Sequence, residues 1–205
     1  YINYQLKYQE KYGNKTVILM QVGSFFEAYA IDNKKEQINI DNLNQICELM
    51  NIQISRKNKT NIENSRSNPL MAGFPLFAIE KFIQILMTHG YTVVLVEQVT
   101  EPPEPERKVT NIFSPGTSIN YTSGEETSNL LSIFIETNKD LKNHRDIICI
   151  GLSIMDLTTG KSIVYETSSS GDDMNLGFDE IFRFIQSHNP KEIILNVKSC
   201  PLSEK

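Results

Sequence analysis

The residues best suited to chemistry form a short run that begins at position 23. Gly23 and Ser24 end an apolar stretch, and Phe25, Phe26 and Glu27 follow directly. An exposed phenylalanine at such a point can insert between base steps, which costs about a few kcal/mol of unstacking in an intact duplex. The cost is smaller at a mispaired base. An ionised Glu27 can accept a hydrogen bond from a base edge.

Alternation divides these three side chains between two faces. If the run forms a strand, Phe25 and Glu27 share one face and Phe26 lies on the other. Phe25 and Glu27 are therefore the candidate contacts with a mispaired base, and Phe26 is the better core candidate. The residues alone leave a second interpretation open, in which both aromatics pack in a core and Glu27 is merely solvated.

A basic loop is the second candidate feature. Residues 56–69 carry four cationic side chains and one acid, Glu63, so the sequence predicts a mobile, exposed loop. Such cations can contact phosphates and add salt-sensitive affinity, although a merely solvated loop is the alternative. The candidate backbone contacts are Arg56, Lys57, Lys59 and Arg66, together with Lys108 on a later strand.

Enzymatic alternatives find little support in the chain. A metal-dependent nuclease needs several converging carboxylates, whereas Asp156 falls in a turn and Asp172 and Asp173 in a Ser/Gly-rich segment. The three histidines are scattered, and no phosphate-binding Gly-x-x-x-x-Gly-Lys-Ser/Thr sequence occurs. We therefore predict no catalytic residue, no metal and no cofactor in this chain.

Charge is unevenly distributed along the 205 residues. Residues 1–117 carry 12 Lys/Arg and 12 Asp/Glu, whereas residues 118–205 carry 8 and 13 and so account for the net charge of −5. Neither part is a strong polyanion binder by bulk charge. The acidic second part suggests, as an alternative function, a module that docks a protein partner.

Cysteine usage and hydropathy predict where the chain resides. Three cysteines fit no zinc pattern and are expected to be free thiols, Cys47 and Cys149 in a core. We find no apolar run of about 18 residues and no signal peptide, so we expect no membrane contact. The expected location is a reducing intracellular compartment, whether cytoplasm, nucleus, organelle or viral factory. The missing initiator Met suggests a fragment or a processed chain.

The first module, residues 1–117, is predicted to be a mixed-sheet α/β domain. Two apolar runs predict buried strands, and the spacing of Ile79, Phe82, Ile83 and Leu86 predicts a helix face. The predicted elements are a helix ended by Gly13 and Asn14, strands at 16–22, 51–55, 91–96 and 108–113, a helix ending near Met50, and an irregular stretch at 101–106.

A polar linker at 118–129 is predicted to lead into a second domain at 130–205. Its strands are expected at 130–136, 147–155, 161–166 and 193–195, with a tight turn at 156–160. The predicted helix face contains Phe178, Ile181, Phe182 and Ile185. This β-β-β-α-β order is typical of a ribonuclease-H-like α/β domain, here truncated.

Five collinear segments resemble motifs of the MutS family of DNA mismatch-repair proteins. Val22–Tyr29 is similar to the Phe-X-Glu mismatch-reading motif, and Pro69–Pro75 to the P-M-A-G-[IV]-P loop. The remaining three matches are Gly90–Val99, Ser114–Thr117 and Gly151–Gly160. The resemblance covers nearly the whole chain.

The resemblance implies a mismatch-binding domain followed by a connector domain. Phe25 would stack on the mispaired base, Glu27 would hydrogen-bond it, and Met71 and Gly73 would shape the loop behind the wedge or approach the minor groove. The partner would be double-stranded DNA with mismatches or small loops. For the parent protein the resemblance implies an ATPase with ATP and Mg²⁺, a dimer, and a MutL-type partner at the connector.

Four departures from the family pattern concern affinity more than mechanism. Ser24 stands where Asp is frequent, Leu70 is inserted before Met-Ala-Gly, and Leu76-Phe77 replaces Tyr-His. Asn111 stands where an Arg is common, which removes one expected DNA-backbone contact. Together they suggest a divergent branch, viral or organellar.

Overall fold

The fold is described from a computed structural model that covers residues 1–33, 38–40, 42–101, 103–116, 127–139, 146–169 and 173–198. The chain divides into two compact units, residues 1–115 and residues 116–205. Each unit pairs a mixed β-sheet with helices, so the predicted α/β class is confirmed.

The first unit is built on a sheet with the strand order β4-β5-β2-β1-β6-β7, and β3 pairs with β2. β1 and β6 are parallel, and their near-continuous apolar runs are buried as predicted. The elements are α1 (Ile2–Tyr12), β1 (Thr16–Val22), β2 (Phe25–Asn33), β3 (Ile38–Ile40), α2 (Leu43–Met50), β4 (Ser55–Arg56), β5 (Leu70–Pro75), a 3-10 turn (Leu76–Ala78), α3 (Ile79–Thr88), β6 (Thr92–Gln98) and β7 (Arg107–Phe113).

Helix α1 covers one face of this sheet. Its tyrosines Tyr1, Tyr4 and Tyr8 pack on a buried cluster that includes Met20 and Val96. Because Met20 pairs with Glu27 across the β1–β2 ladder, the Glu27 side chain lies on the same sheet face. We call this the α1 face.

The opposite face carries an aromatic core. Phe26 lies 6.2 Å from Phe74, and Phe74 lies 4.4 Å from Phe82 of α3, measured between ring centroids. Ile83 and Leu86 of α3 are also fully buried. This core fixes the backbone of β2 and β5 from behind.

A buried glutamine links α1 to the central strand. The Gln5 side-chain amide donates to the Thr16 carbonyl at 2.7 Å, and its oxygen accepts the Ile18 N–H at 3.1 Å. The β1–β2 ladder spans only Met20 to Val22 of β1, so Gln5 satisfies strand groups that β2 does not reach.

The second unit contains a sheet in the order β10-β9-β8-β11, with β11 parallel to β8. Its elements are β8 (Asn129–Lys139), β9 (Asp146–Asp156), β10 (Ser162–Ser168), α4 (Leu176–His188) and β11 (Glu192–Lys198). The predicted β-β-β-α-β order is confirmed. Helix α4 packs its apolar side on the buried residues of β8 and β9.

The strand predicted at 51–55 is wrong. Asn51 ends α2 in the left-handed conformation with φ 53°, and the Ile52 N–H bonds back to the Cys47 carbonyl at 3.0 Å. A ladder forms only at Ser55–Arg56. Ile52 and Ile54 are half-buried as their alternation suggests, but helix capping uses the backbone there instead.

Phe182 and Cys149 are less buried than predicted. Phe182 is 63% exposed, and Phe184 packs toward the core in its place. Cys47 is buried, which raises the pKa of its thiol to about 11, whereas Cys149 is only half-buried. Most of the predicted linker at 118–129 lies outside the described residues. Its last residue, Asn129, belongs to β8. Cys200 also lies outside the described residues.

Among the described residues, no helix is both long and apolar enough to cross a membrane.

Candidate nucleic-acid interface

A two-residue hairpin turn places Phe25 at the end of the sheet. Val22 and Phe25 are paired across the β1–β2 ladder, with Gly23 and Ser24 between them. Gly23 has φ 60° and Ser24 is not in the positive region, which is the pattern of a type II′ turn. A Cβ on Gly23 would meet nothing within 4 Å, so backbone conformation and not space requires glycine here.

The Phe25 ring is accessible and supported from both sides. Its residue is 47% exposed, whereas Phe26 is 3% exposed, in agreement with the predicted division between the two faces. Val22 and Pro75 are the cross-strand neighbours of Phe25. The ring therefore stands at a strand end between two apolar residues, with its backbone held by two ladders.

The Glu27 carboxylate is positioned by a tyrosine that sequence reasoning did not single out. The Tyr29 hydroxyl donates a hydrogen bond to Glu27 Oε2. Tyr29 packs edge-on against Tyr1, with ring centroids 4.9 Å apart. Burial, and after it the Glu27 carboxylate, raises the pKa of Tyr29 above its usual value of 10, so the hydroxyl keeps its proton.

Gly73 lies opposite Glu27 on β5, and its lack of a side chain makes room for the carboxylate arm. A Cβ there would stand 3.1 Å from Glu27 Cγ and 3.1 Å from the Phe26 carbonyl oxygen. Met71 lies one step further along β5, opposite Tyr29, and is half-buried. Of these two predicted residues, Gly73 is the one that lies directly opposite Glu27.

Polar side chains from strands β1 and β7 brace the hairpin turn. Arg107 Nε donates to the Gln21 carbonyl at 2.8 Å, and the Gln21 side chain accepts the Gln98 N–H at 3.0 Å and donates to the Gly23 carbonyl at 3.2 Å. Sequence reasoning missed Arg107. Alternation along β7 predicts that the adjacent cations Arg107 and Lys108 lie on opposite faces of the sheet. It does not predict which of the two faces Glu27.

Lys108 takes the opposite orientation. Its neighbour Val109 packs on the α1-face cluster, so Lys108 lies on the other face of the sheet from Glu27. Its amino group is 3.2 Å from Glu106. The structure does not bring Lys108 together with Phe25 and Glu27.

The basic loop begins at the other end of β5. Arg56 pairs with Leu70, whereas Phe25 pairs with Pro75, which is about 17 Å away along the strand. Lys57 and Lys59 are exposed there, but Arg56 donates to the Ile62 carbonyl at 2.6 Å and so braces the loop itself.

Arg66 approaches the site more closely than the two lysines. Arg66, Tyr1, Tyr29 and Pro69 line part of one surface cavity of about 270 Å³ on the first unit. Arg66 therefore lies near Tyr29, whose hydroxyl donates to Glu27. Arg66 itself is exposed.

The loop is organised by one buried side chain. Asn68 is 3% exposed, accepts the Asn58 N–H at 3.0 Å, and donates to the carbonyls of Asn58 and Asn61 at 3.2 and 2.9 Å. A chain segment predicted only to be polar and exposed is thus closed around an internal amide.

Asp156, the carboxylate weighed for nuclease chemistry, has a structural role. It accepts the hydroxyls of Thr158 and Thr159, each at 2.6 Å, and these bonds hold the pKa of its carboxyl at about 2. No group of three His, Cys, Asp or Glu side chains that could hold a metal occurs in the described ranges, and Asp172 lies outside them.

The first unit is a mixed α/β domain. At one end of its sheet it presents the ring of Phe25, a residue paired on both sides, and the carboxylate of Glu27, which accepts a hydrogen bond from Tyr29. The family model of MutS domain I matches residues 2–122. The chain therefore belongs to the MutS family, as the five motifs predicted.

Curated relatives extend the match over the second unit. A DNA mismatch repair protein mutS homolog of Acanthamoeba polyphaga mimivirus is 35% identical over 95% of this chain and 17% of its own length. The DNA mismatch repair protein MutS of Petrotoga mobilis is 29% identical over the whole chain and 21% of its own length. That of Methanosarcina mazei is 26% identical over 88% of this chain and 19% of its own. The chain thus spans about a fifth of the length of these relatives.

Proposed function

We propose that this chain recognises mismatched or distorted duplex DNA, with Phe25 as the wedge and Glu27 as the base-contacting acid. The observation that carries the proposal is the 47% exposed ring of Phe25 at a braced hairpin, on the face that also presents Glu27. Membership of the MutS family and relatives named for DNA mismatch repair support the same function.

Discrimination in this proposal comes from the cost of opening the base stack. Insertion of Phe25 unstacks a step and kinks the duplex, at a cost of about a few kcal/mol in paired DNA. A mispaired base has already lost part of that stacking and pairing energy. The same ring therefore enters a mismatched site at lower cost, without any reading of base sequence.

Glu27 then holds the displaced base. The hydroxyl of Tyr29 engages Oε2, which leaves Oε1 to accept a donor on the base edge. Gly73 leaves space for the acidic arm to lie flat on β5. The carboxylate is thus oriented before DNA arrives, which reduces the ordering cost of binding.

Affinity must come from other parts of the surface. Lys57, Lys59 and Arg66 supply phosphate contacts in this proposal, and residues 1–117 carry no net charge with which to add more. We propose that the parent protein supplies the remaining affinity, dimerisation, Mg²⁺-dependent ATP hydrolysis and contact with a MutL-type partner.

The test is a binding titration of the chain on a G·T duplex and on its matched counterpart. Phe25→Ala removes the wedge, and we expect it to lower the ratio of the two affinities by about tenfold or more, the value of one base–aromatic contact or more. Phe182→Ala is the matched control, because Phe182 is an exposed phenylalanine of the second unit. An unchanged ratio in Phe25→Ala would reject the wedge.

A further inference from the structure

A second aromatic ring stands beside the hairpin and takes no part in the proposed mechanism. Phe77 lies in the 3-10 turn Leu76–Ala78, directly after β5, and is 88% exposed. It is the most exposed large apolar residue of the described chain. Its ring is therefore free to contact a molecule that approaches this corner of the sheet.

The backbone ties Phe77 to the corner that carries Phe25. Pro75 is the cross-strand partner of Phe25, and the Leu76 N–H donates to the Ser24 carbonyl at 3.1 Å. One ladder spacing and two residues of chain therefore keep the two phenylalanine Cα atoms within roughly 12 Å. Phe77 is therefore close enough to Phe25 for one duplex to reach both residues.

The segment that carries Phe77 is anchored although its ring is exposed. The 3-10 turn runs directly into α3, whose Phe82 and Ile83 are buried. An exposed cation, Lys81, follows one helical turn after Phe77, next to the acidic Glu80. These two side chains offset each other in charge, so the contact that Phe77 itself offers is apolar.

We propose that Phe77 is a second aromatic contact with the distorted duplex, packing on sugars and base edges beside the step that Phe25 opens. The inference rests on the proposed function and adds a residue to it. This chain has Phe77 where the family pattern has His, so the contact is a property of this sequence. Because Phe77 lies beside the step that Phe25 opens, we expect its contact to form chiefly in the mismatched complex.

The experiment compares four forms of the full chain: wild type, Phe25→Ala, Phe77→Ala and the control Phe182→Ala. Each is titrated with matched and G·T duplexes at several salt concentrations, and its melting temperature and oligomeric state are recorded. We expect Phe77→Ala to weaken mismatched binding by roughly fivefold, with less effect on the matched duplex. The slope of affinity against salt should not change, because no cation is removed.

The outcomes separate this inference from the function it rests on. If Phe25→Ala loses mismatch preference while Phe77→Ala behaves like Phe182→Ala, Phe77 is not a contact and the proposed function stands. If wild type shows no preference and Phe25→Ala changes nothing, both fail. A change in melting temperature or oligomeric state in Phe77→Ala without a change in DNA binding would assign the ring to protein packing and overturn the inference.

Discussion

The two ends of strand β5 differ in almost every physical respect. At the Pro75 end stand two exposed aromatic rings, Phe25 and Phe77, held by ladder hydrogen bonds and by an aromatic core behind the sheet. At the Leu70 end stand exposed lysines on a loop closed around Asn68. We call these the aromatic end and the basic end.

If the proposed function holds, this difference places discrimination and affinity on separate supports. Apolar insertion depends on close packing and involves no charge, so it needs a rigid strand end. Phosphate attraction acts over about 10 Å at moderate salt and tolerates a loop. Substitutions at one end should therefore leave the property supplied by the other end intact.

The largest effect is expected from Asn68→Ala, which removes the hydrogen bonds that close the loop at the basic end and leaves the aromatic end unchanged. Loss of three hydrogen bonds to a buried amide should lower the free energy of unfolding by about 2–3 kcal/mol. Binding to matched and mismatched duplexes should weaken equally, so their ratio is unchanged. Urea unfolding and paired titrations measure both quantities.

The control for Asn68→Ala is Ile62→Ala in the same loop, since the Ile62 residue is 85% exposed and its backbone carbonyl, which accepts from Arg56, is kept. A fall in mismatch preference in Asn68→Ala would show that the two ends are coupled and would break the comparison.

Gly73→Ala tests the aromatic end by crowding the Glu27 side chain. The added Cβ would stand 3.1 Å from Glu27 Cγ, so we expect a loss of about 1–2 kcal/mol in stability together with a lower preference for mismatched DNA. Gly151→Ala is the matched control, because a Cβ in that strand meets only Phe134 Cβ at 3.9 Å. Equal stability of the two variants would contradict the close approach.

Much of this arrangement follows from local sequence. The buried strands β1 and β6 and the helix α3 were predicted because their apolar periodicity is unambiguous over seven or more residues. Alternation in β2 also gave the correct faces of Phe25, Phe26 and Glu27.

The remainder depends on long-range contacts. Which face of the sheet each of Arg107 and Lys108 takes depends on a register that shifts between Leu95 and Val96. No local pattern reveals that shift. The burial of Asn68 depends on a loop closing over ten residues, and the exposure of Phe77 runs against the usual preference of phenylalanine for the core.

A smaller effect is expected from the double substitution of Lys57 and Lys59 to Gln. Each lost phosphate contact should reduce the slope of log affinity against log salt by about 0.9, with equal loss on both duplexes. Lys108→Gln should leave the slope unchanged, because Lys108 faces away from Glu27 and lies 3.2 Å from Glu106. If the double variant keeps the wild-type slope of log affinity against log salt, Lys57 and Lys59 do not contact phosphates and the loop is merely solvated.

The smallest and most specific effect is expected from Tyr29→Phe. This variant keeps the ring contact with Tyr1 but removes the hydroxyl that orients Glu27, so mismatch preference should fall by about threefold while salt dependence is unchanged.

The pH dependence of stability gives the Tyr29 prediction a second readout. The pKa of Tyr29 is raised in the folded chain, so its contribution to stability is complete below pH 10 and is lost as pH rises beyond that value. Tyr29→Phe should therefore lose less stability than wild type between neutral and strongly alkaline pH. Identical alkaline unfolding of wild type and Tyr29→Phe would contradict the half-buried, protonated hydroxyl on which the orientation of Glu27 depends, and DNA itself would then have to orient the carboxylate.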